Sequence, residues 1–208
     1  MNDIGSYVYE GFEPLPYEMM GWGGMDPIFE ELILKVRPKV IVELGSWKGE
    51  STLTMGKALW NHGLRDSKVY AIDTWLGSIE FWTTYNTTSE RDLKLKNGYP
   101  TAYYQFISNV TYANLQETII PVPNTTRIGM QILQAKNIIP ELVYIDASHE
   151  TDDVLGDIRT AYLWVNKGIV FGHDYNWETV RKAVDLFATE QNLEVKSVRE
   201  FWIIEKLT

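Results

Sequence analysis

Val40-Ile-Val-Glu-Leu-Gly-Ser-Trp-Lys-Gly-Glu-Ser51 joins a buried apolar strand to a glycine turn and then to a helix. Glu43, Gly45 and Gly49 set the spacing E-x-G-x-x-x-G, in which small residues let a backbone approach a ligand that a Cβ atom would exclude. The hydroxyl-rich Ser51-Thr-Leu-Thr54 then opens a helix whose unpaired N–H groups face back toward the turn. The stretch reads as a cofactor loop. A second apolar run, Val69-Tyr-Ala-Ile-Asp73, also ends in an acid, and in open α/β sheets an acid at that tip accepts hydrogen bonds from both ribose hydroxyls of a nucleoside. Neither G-x-G-x-x-G nor a P-loop glycine-lysine-serine ending is present, and Glu43 repels a pyrophosphate while suiting a cofactor that bears an amine and a sulfonium. S-adenosylmethionine is therefore expected in preference to NAD or ATP.

Outward from this loop, short apolar runs alternate with amphipathic segments, the pattern of crossovers between parallel strands. Strands are predicted at Val40 to Leu44, Lys68 to Asp73, Thr118 to Val122, Leu142 to Asp146, Gly168 to Gly172, Glu194 to Arg199 and Phe201 to Glu205. The last two are close enough for a hairpin. Helices are predicted at Ser51 to Trp60, Thr101 to Leu115, Arg127 to Lys136, Glu150 to Val165 and Glu178 to Thr189. The pattern lapses over 74–100, where Trp75, Trp82, Tyr85 and Tyr99 are interleaved with Gly, Ser, Thr and Asn. That length suits a lid or substrate wall, or an aromatic-stapled surface loop. The glycine- and aromatic-rich stretch up to Pro27, with Gly21-Trp-Gly-Gly24, is expected to fold over the cofactor as a cap (1–27) on a single domain spanning 1–208.

Composition narrows the function further. A chain of 208 residues suffices for one α/β domain. Its net charge of -9 argues against nucleic acid, whose phosphates need a clustered basic surface. The absence of cysteine excludes disulfides and thiolate metal sites. The start Met1-Asn-Asp-Ile-Gly has no signal-peptide character and no apolar run approaches membrane-spanning length, so a cytoplasmic protein with no membrane partner is expected. The sequons at Asn86, Asn109 and Asn124 are then expected to be unmodified.

VIVELGSWKGES, VYAIDTWLGS, LVYIDASHE and GIVFGHDY, in that order, resemble the class I S-adenosylmethionine-dependent methyltransferases over Trp22 to Glu205. The pairing of GSWKGES with IDTWLGS and a later YIDASHE/GHDY is similar to the small-molecule O-methyltransferase branch that includes macrocin-type sugar methyltransferases. This resemblance implies a Rossmann-like α/β fold: a seven-stranded, mostly parallel sheet with an antiparallel C-terminal hairpin and helices on both faces. It implies methyl transfer to a hydroxyl of a small acceptor, such as a sugar or glycan residue. A homo-oligomer is compatible with it. Gly45, Ser46, Gly49 and Ser51 are expected around the methionine portion of the cofactor, Asp73 at the ribose, and Thr74 or Trp75 beside the adenine. Glu43 is expected to reach the amine through water, and Asn124 and Thr125 to contact the adenine or to form only a rigid turn.

Asp146 ends the fourth strand, and His173 and Asp174 follow the fifth. Neighbouring parallel strands lie about 4.8 Å apart, so one divalent ion can reach all three. The resemblance to metal-assisted O-methyltransferases puts Asp146, His173 and Asp174 at ligand positions. His173 stands where related sequences often carry an acid, which shifts the expectation from magnesium toward manganese, iron or zinc. The alternative is that Asp146 and Asp174 merely cap the helices that follow them. His149 is the candidate general base, since its ordinary pKa suits proton abstraction, or else it simply binds loop backbone. Trp82, Tyr175 and Trp177 are candidates for the acceptor pocket. Metal-free methylation through His149, and a non-catalytic cofactor-binding module with aromatic partner surfaces, stand as the other readings.

Overall fold

The computed structural model describes residues 7–83 and 93–206, so Tyr85 and Asn86 lie outside the described residues. Seven strands form one sheet in the order β3-β2-β1-β4-β5-β7-β6. They are β1 (Val40–Leu44), β2 (Lys68–Asp73), β3 (Ile119–Pro123), β4 (Leu142–Ile145), β5 (Gly168–Gly172), β6 (Lys196–Val198) and β7 (Phe201–Lys206). The first five run parallel, while β7 pairs antiparallel with both β5 and β6. Each predicted strand is present with ends shifted by at most two residues.

Alternation along the strands sorts the core into two halves. Ile41, Val69, Leu142, Tyr144 and Phe171 face α1 (Ile28–Val36), α2 (Glu50–Asn61) and α4 (Ala102–Tyr112). Val42, Tyr70, Ile72, Val143 and Val170 face α5 (Thr126–Ala135), α6 (Thr151–Trp164) and α7 (Glu178–Gln191). Because both faces are covered, the central strands are apolar throughout, and their only acids sit at or near the carboxyl ends.

Among the described residues, two helices were not anticipated from sequence. In α1 the signals are ordinary: Pro27 at its start, Glu30 and Glu31 in the first turn, Lys35 in the last, and Arg37 in the left-handed conformation at its end. The aromatic, glycine-rich stretch before it masked a nine-residue helix. Phe29 on α1 is wholly buried and meets Tyr144, Phe171 and Phe201 edge-on, so truncating it to alanine would cost about 3–5 kcal/mol. The short α3 (Ile79–Thr83) lies in the segment read as a loop. There Phe81 stacks on Trp47 of the loop after β1, at 4.7 Å between ring centroids.

The N-terminal segment runs across α4 and onto the carboxyl ends of the strands. Asn109, buried on α4, accepts from the Glu18 backbone N–H and donates to the carbonyls of Glu18 and Lys48. Its side chain is thereby spent inside the fold and is not open to glycosylation. Glu18 forms an ion pair with Lys48, whose side chain is only 1% exposed, at 2.7 Å, and a second with Lys94. One carboxylate thus ties the N-terminal segment to the loop after β1 and to the chain beyond α3.

Candidate active site

The loop between β1 and α2 is organised around two acids. Glu43 is wholly buried and accepts hydrogen bonds from the hydroxyls of Ser46 at 2.7 Å, Ser51 at 2.5 Å and Thr52. Burial pushes its carboxyl up to about 7 despite those three donors. Its expected reach to a cofactor amine is therefore corrected: Glu43 lies beneath the loop and holds it to the first turn of α2. Ser46 and Ser51 spend their hydroxyls on that same acid, which leaves backbone groups as what the loop offers. Asp73, half-buried at the tip of β2, accepts from the Ser46 and Trp47 backbone N–H groups with one oxygen, both at 2.8 Å, and from Trp75 N–H with the other. A Cβ on Gly45, where φ is +85°, would lie 2.1 Å from the Asp146 carbonyl oxygen, and one on Gly49 would press on Phe106. These glycines are required by close approach of protein to protein.

Around Asp73 the predicted adenine contacts divide. Trp75 is 1% exposed, donates its indole N–H to the Trp47 carbonyl at 2.7 Å and packs on Tyr103 and Phe106. It is a core residue that locks the loop, not a cofactor wall. Thr74 accepts from the Leu76 backbone N–H. Asn124 bonds the Asp73 carbonyl through its backbone N–H, placing the β3 tip beside Asp73, and Thr125 is the N-cap of α5.

The second cluster sits on β4 and β5. Asp146, His173 and Asp174 each offer an atom lying within 4.8 Å of the other two. Neither acid is a helix cap: the N-caps of α6 and α7 are Glu150 and Trp177, and Asp174 is bonded instead to His149 Nε2 at 2.8 Å and His173 Nδ1 at 3.2 Å. Asp174 adopts φ +56°, a left-handed conformation that aspartate tolerates better than most residues. Although burial would raise its pKa, the two imidazoles hold the Asp174 carboxyl well below the usual carboxylate range. Burial pushes Asp146 up to about 6. Burial would also discharge His173, but Asp174, Asp146 and Glu200 outweigh it and raise its pKa. Two carboxylates and two imidazoles thus share one partly desolvated spot, and the donor set fits a divalent cation with mixed oxygen and nitrogen ligands.

A methyltransferase-domain family model matches residues 42–175, from the middle of β1 to just past Asp174. The chain belongs to that family. No curated protein matches the sequence. Among solved structures, this methyltransferase domain is similar to the O-methyltransferase NovP, with 17% identity, a TM-score of 0.68, and 92% of this chain and 83% of that one covered. It is also similar to an O-methyltransferase from Bacillus cereus in complex with SAH, at 14% identity and TM-score 0.63, covering 92% and 84%. A third is the O-methyltransferase TomG from Streptomyces achromogenes, involved in tomaymycin synthesis and in complex with SAM, at 12% identity and TM-score 0.64, covering 93% and 84%. The Rossmann-like methyltransferase architecture implied by the sequence is the observed one.

In this methyltransferase domain the surroundings of His173 join the glycine-rich N-terminal stretch to Glu200, which the sequence did not single out. Gly23, at φ +69°, lies so close to His173 that a Cβ there would sit 2.9 Å from its Nε2. Gly24 donates its backbone N–H to Glu50 at 3.0 Å, so the N-terminal segment rests on the start of α2 and on His173 at once. Glu200, in the β6–β7 turn, lies 3.4 Å from His173 Nε2. Trp177 is half-exposed and stacks on His149 at 4.6 Å. Tyr175 departs from the acceptor pocket expected for it, because its phenol donates to Asp185, two turns into α7, and its ring lies under Arg181. Trp82 donates its indole N–H to the Leu76 carbonyl and leaves half its surface exposed. Among the described residues, no helix is long and apolar enough to cross a membrane.

Proposed function

We propose that this chain transfers the methyl group of S-adenosylmethionine to a hydroxyl of a small acceptor, a sugar or glycan residue being the fitting class, with a divalent cation at Asp146, His173 and Asp174. The observation that carries the reading is the convergence of those three side chains beside a loop already organised by Asp73. The ribose hydroxyls would bond the remaining acceptor capacity of the Asp73 carboxylate, and the methionine portion would follow the loop backbone from Gly45 to Gly49. When bound, the cation supplies Lewis-acid lowering of a hydroxyl pKa, which a sugar or phenol needs at neutral pH. An imidazole among two carboxylates favours manganese, iron or zinc over magnesium. Trp177 would offer a flat face to the acceptor, with Trp22, 60% exposed beside Gly23, on the N-terminal segment. Solved structures of the same fold include O-methyltransferases, which supports oxygen as the acceptor atom.

A second reading has its own observation. His149 is held by Asp174 at 2.8 Å and braced by Trp177, an arrangement in which the carboxylate stabilises the imidazolium formed when the ring takes a proton. His149 is then the base of a metal-free transfer. Calorimetry with S-adenosylhomocysteine, followed by turnover on a panel of hydroxylated acceptors with Mn²⁺ or with EDTA, separates the readings. The first expects saturable binding and turnover abolished by EDTA. EDTA-resistant turnover selects the His149 base, and absence of cofactor heat defeats both.

A further inference from the structure

Tyr144 and Asp146 are separated by one residue along β4 and its end, so alternation puts both side chains on the same face of the sheet. Tyr144 is wholly buried on that face. Its ring sits edge-on to Phe29 at 5.0 Å and tilted against Phe171 at 4.9 Å. A phenylalanine would fill this aromatic cage as well, and a buried hydroxyl left without a partner there would cost about 1–3 kcal/mol. The hydroxyl instead donates to Asp146 Oδ2 at 2.8 Å. The phenol O–H is the donor of this bond and the carboxylate oxygen the acceptor.

We infer that Tyr144 is a positioning residue of the site, its phenol holding one oxygen of Asp146 so that the other is presented to a divalent cation. The role rests on the cation-assisted reading above. An aspartate at the end of a strand has two free torsions, and without a partner it can turn toward His173, or offer both oxygens at once. With Oδ2 occupied, Asp146 is left as a single-oxygen ligand of defined direction. The support extends to the N-terminal side, because Phe29 of α1 sets the Tyr144 ring while Gly23, six residues earlier, abuts His173. Two of the three candidate ligands are thereby braced by one short stretch of chain, and the third, Asp174, by His149.

The test is Mn²⁺ titration of wild type and Tyr144→Phe, read by electron paramagnetic resonance, with S-adenosylhomocysteine affinity and thermal midpoint as controls. The expected result is a loss of Mn²⁺ affinity of roughly 10- to 100-fold with both controls little changed, a split that loss of packing alone does not produce. Placing p-aminophenylalanine at position 144 restores a donor, weaker than a phenol, and should bring the affinity to an intermediate value. If Tyr144→Phe does not fold, that variant carries the test alone: it must bind Mn²⁺ more weakly than wild type. Wild-type binding matched by the variants overturns the role of Tyr144 and leaves the cation reading standing. Absence of Mn²⁺ binding by wild type overturns the cation reading, and the role with it.

Discussion

The tips of β1 and β2 and the tips of β4 and β5 carry the same residue types on the same parallel geometry, yet they satisfy them in opposite ways. On the first side Glu43 and Asp73 are occupied by neutral donors, three hydroxyls for one acid and three backbone N–H groups for the other. On the second side Asp146 and Asp174 face each other across His173, with His149 beyond. Neutral hydrogen bonds are satisfied without an ion and produce a stiff loop. On the second side the acids are paired with imidazoles instead, partners that the proposed function has a cation share. In the proposed function the first side is scaffold and the second is chemistry.

The sharpest way to break this contrast is Asp174→Asn, which keeps a residue tolerant of the left-handed backbone while removing the charge. Turnover should fall about 10³-fold or more, about 4 kcal/mol of transition-state stabilisation, with Mn²⁺ affinity lost and S-adenosylhomocysteine affinity unchanged. Full activity of this variant in chelator would return the second side to a structural role. On the first side, Glu43→Gln probes scaffold rather than chemistry. The folded carboxyl titrates near 7 against 4.5 unfolded, so the fold binds the proton more tightly than the unfolded chain. Its contribution to stability is therefore fully present below 4.5 and is lost as pH rises through about 7. Glutamine does not titrate. The stability of wild type relative to Glu43→Gln should fall by on the order of 3 kcal/mol between pH 4.5 and pH 8 in denaturant titrations. Equal differences at both pH values would show that Glu43 is held ionised.

Asp73→Asn follows with a smaller effect on a different observable. Losing a charged acceptor for the Ser46 and Trp47 N–H groups and for a ribose should cost about 1.5–3 kcal/mol, or roughly 10- to 100-fold in cofactor affinity. Mn²⁺ affinity should hold. A parallel loss of Mn²⁺ binding would mean that the two sides are not independent.

The strands were legible because apolar runs closed by an acid carry both their length and their tip residue in one dimension. Asp146, His173 and Asp174 followed, since adjacent strand tips are the one long-range proximity that topology supplies at no further cost. What stayed hidden depended on side-chain direction. Trp75 is two residues past Asp73, and its sequence context suits an adenine wall equally well; only the turn that drives it beneath α4 makes it core. Tyr144 looked like one more apolar strand residue, although its spacing from Asp146 already put the pair on one face. Lys48 with Glu18 and Gly23 with His173 join distant segments, and no local pattern announces such pairs.

The N-terminal segment touches both sides, so substitutions two residues apart along it discriminate between them. At Gly23 the left-handed backbone costs an alanine about 1–2 kcal/mol, and its Cβ would press on a histidine ring already packed at 4.7 Å against Phe201. At Gly21 the added Cβ would meet Glu50 at 2.6 Å, on the α2 side. Gly23→Ala should therefore weaken Mn²⁺ binding several-fold and spare the cofactor, whereas Gly21→Ala should do the reverse. The paired titrations need no acceptor. Identical losses from both variants would mean that the segment acts as one rigid strap, and that the division between scaffold and chemistry stops at the sheet.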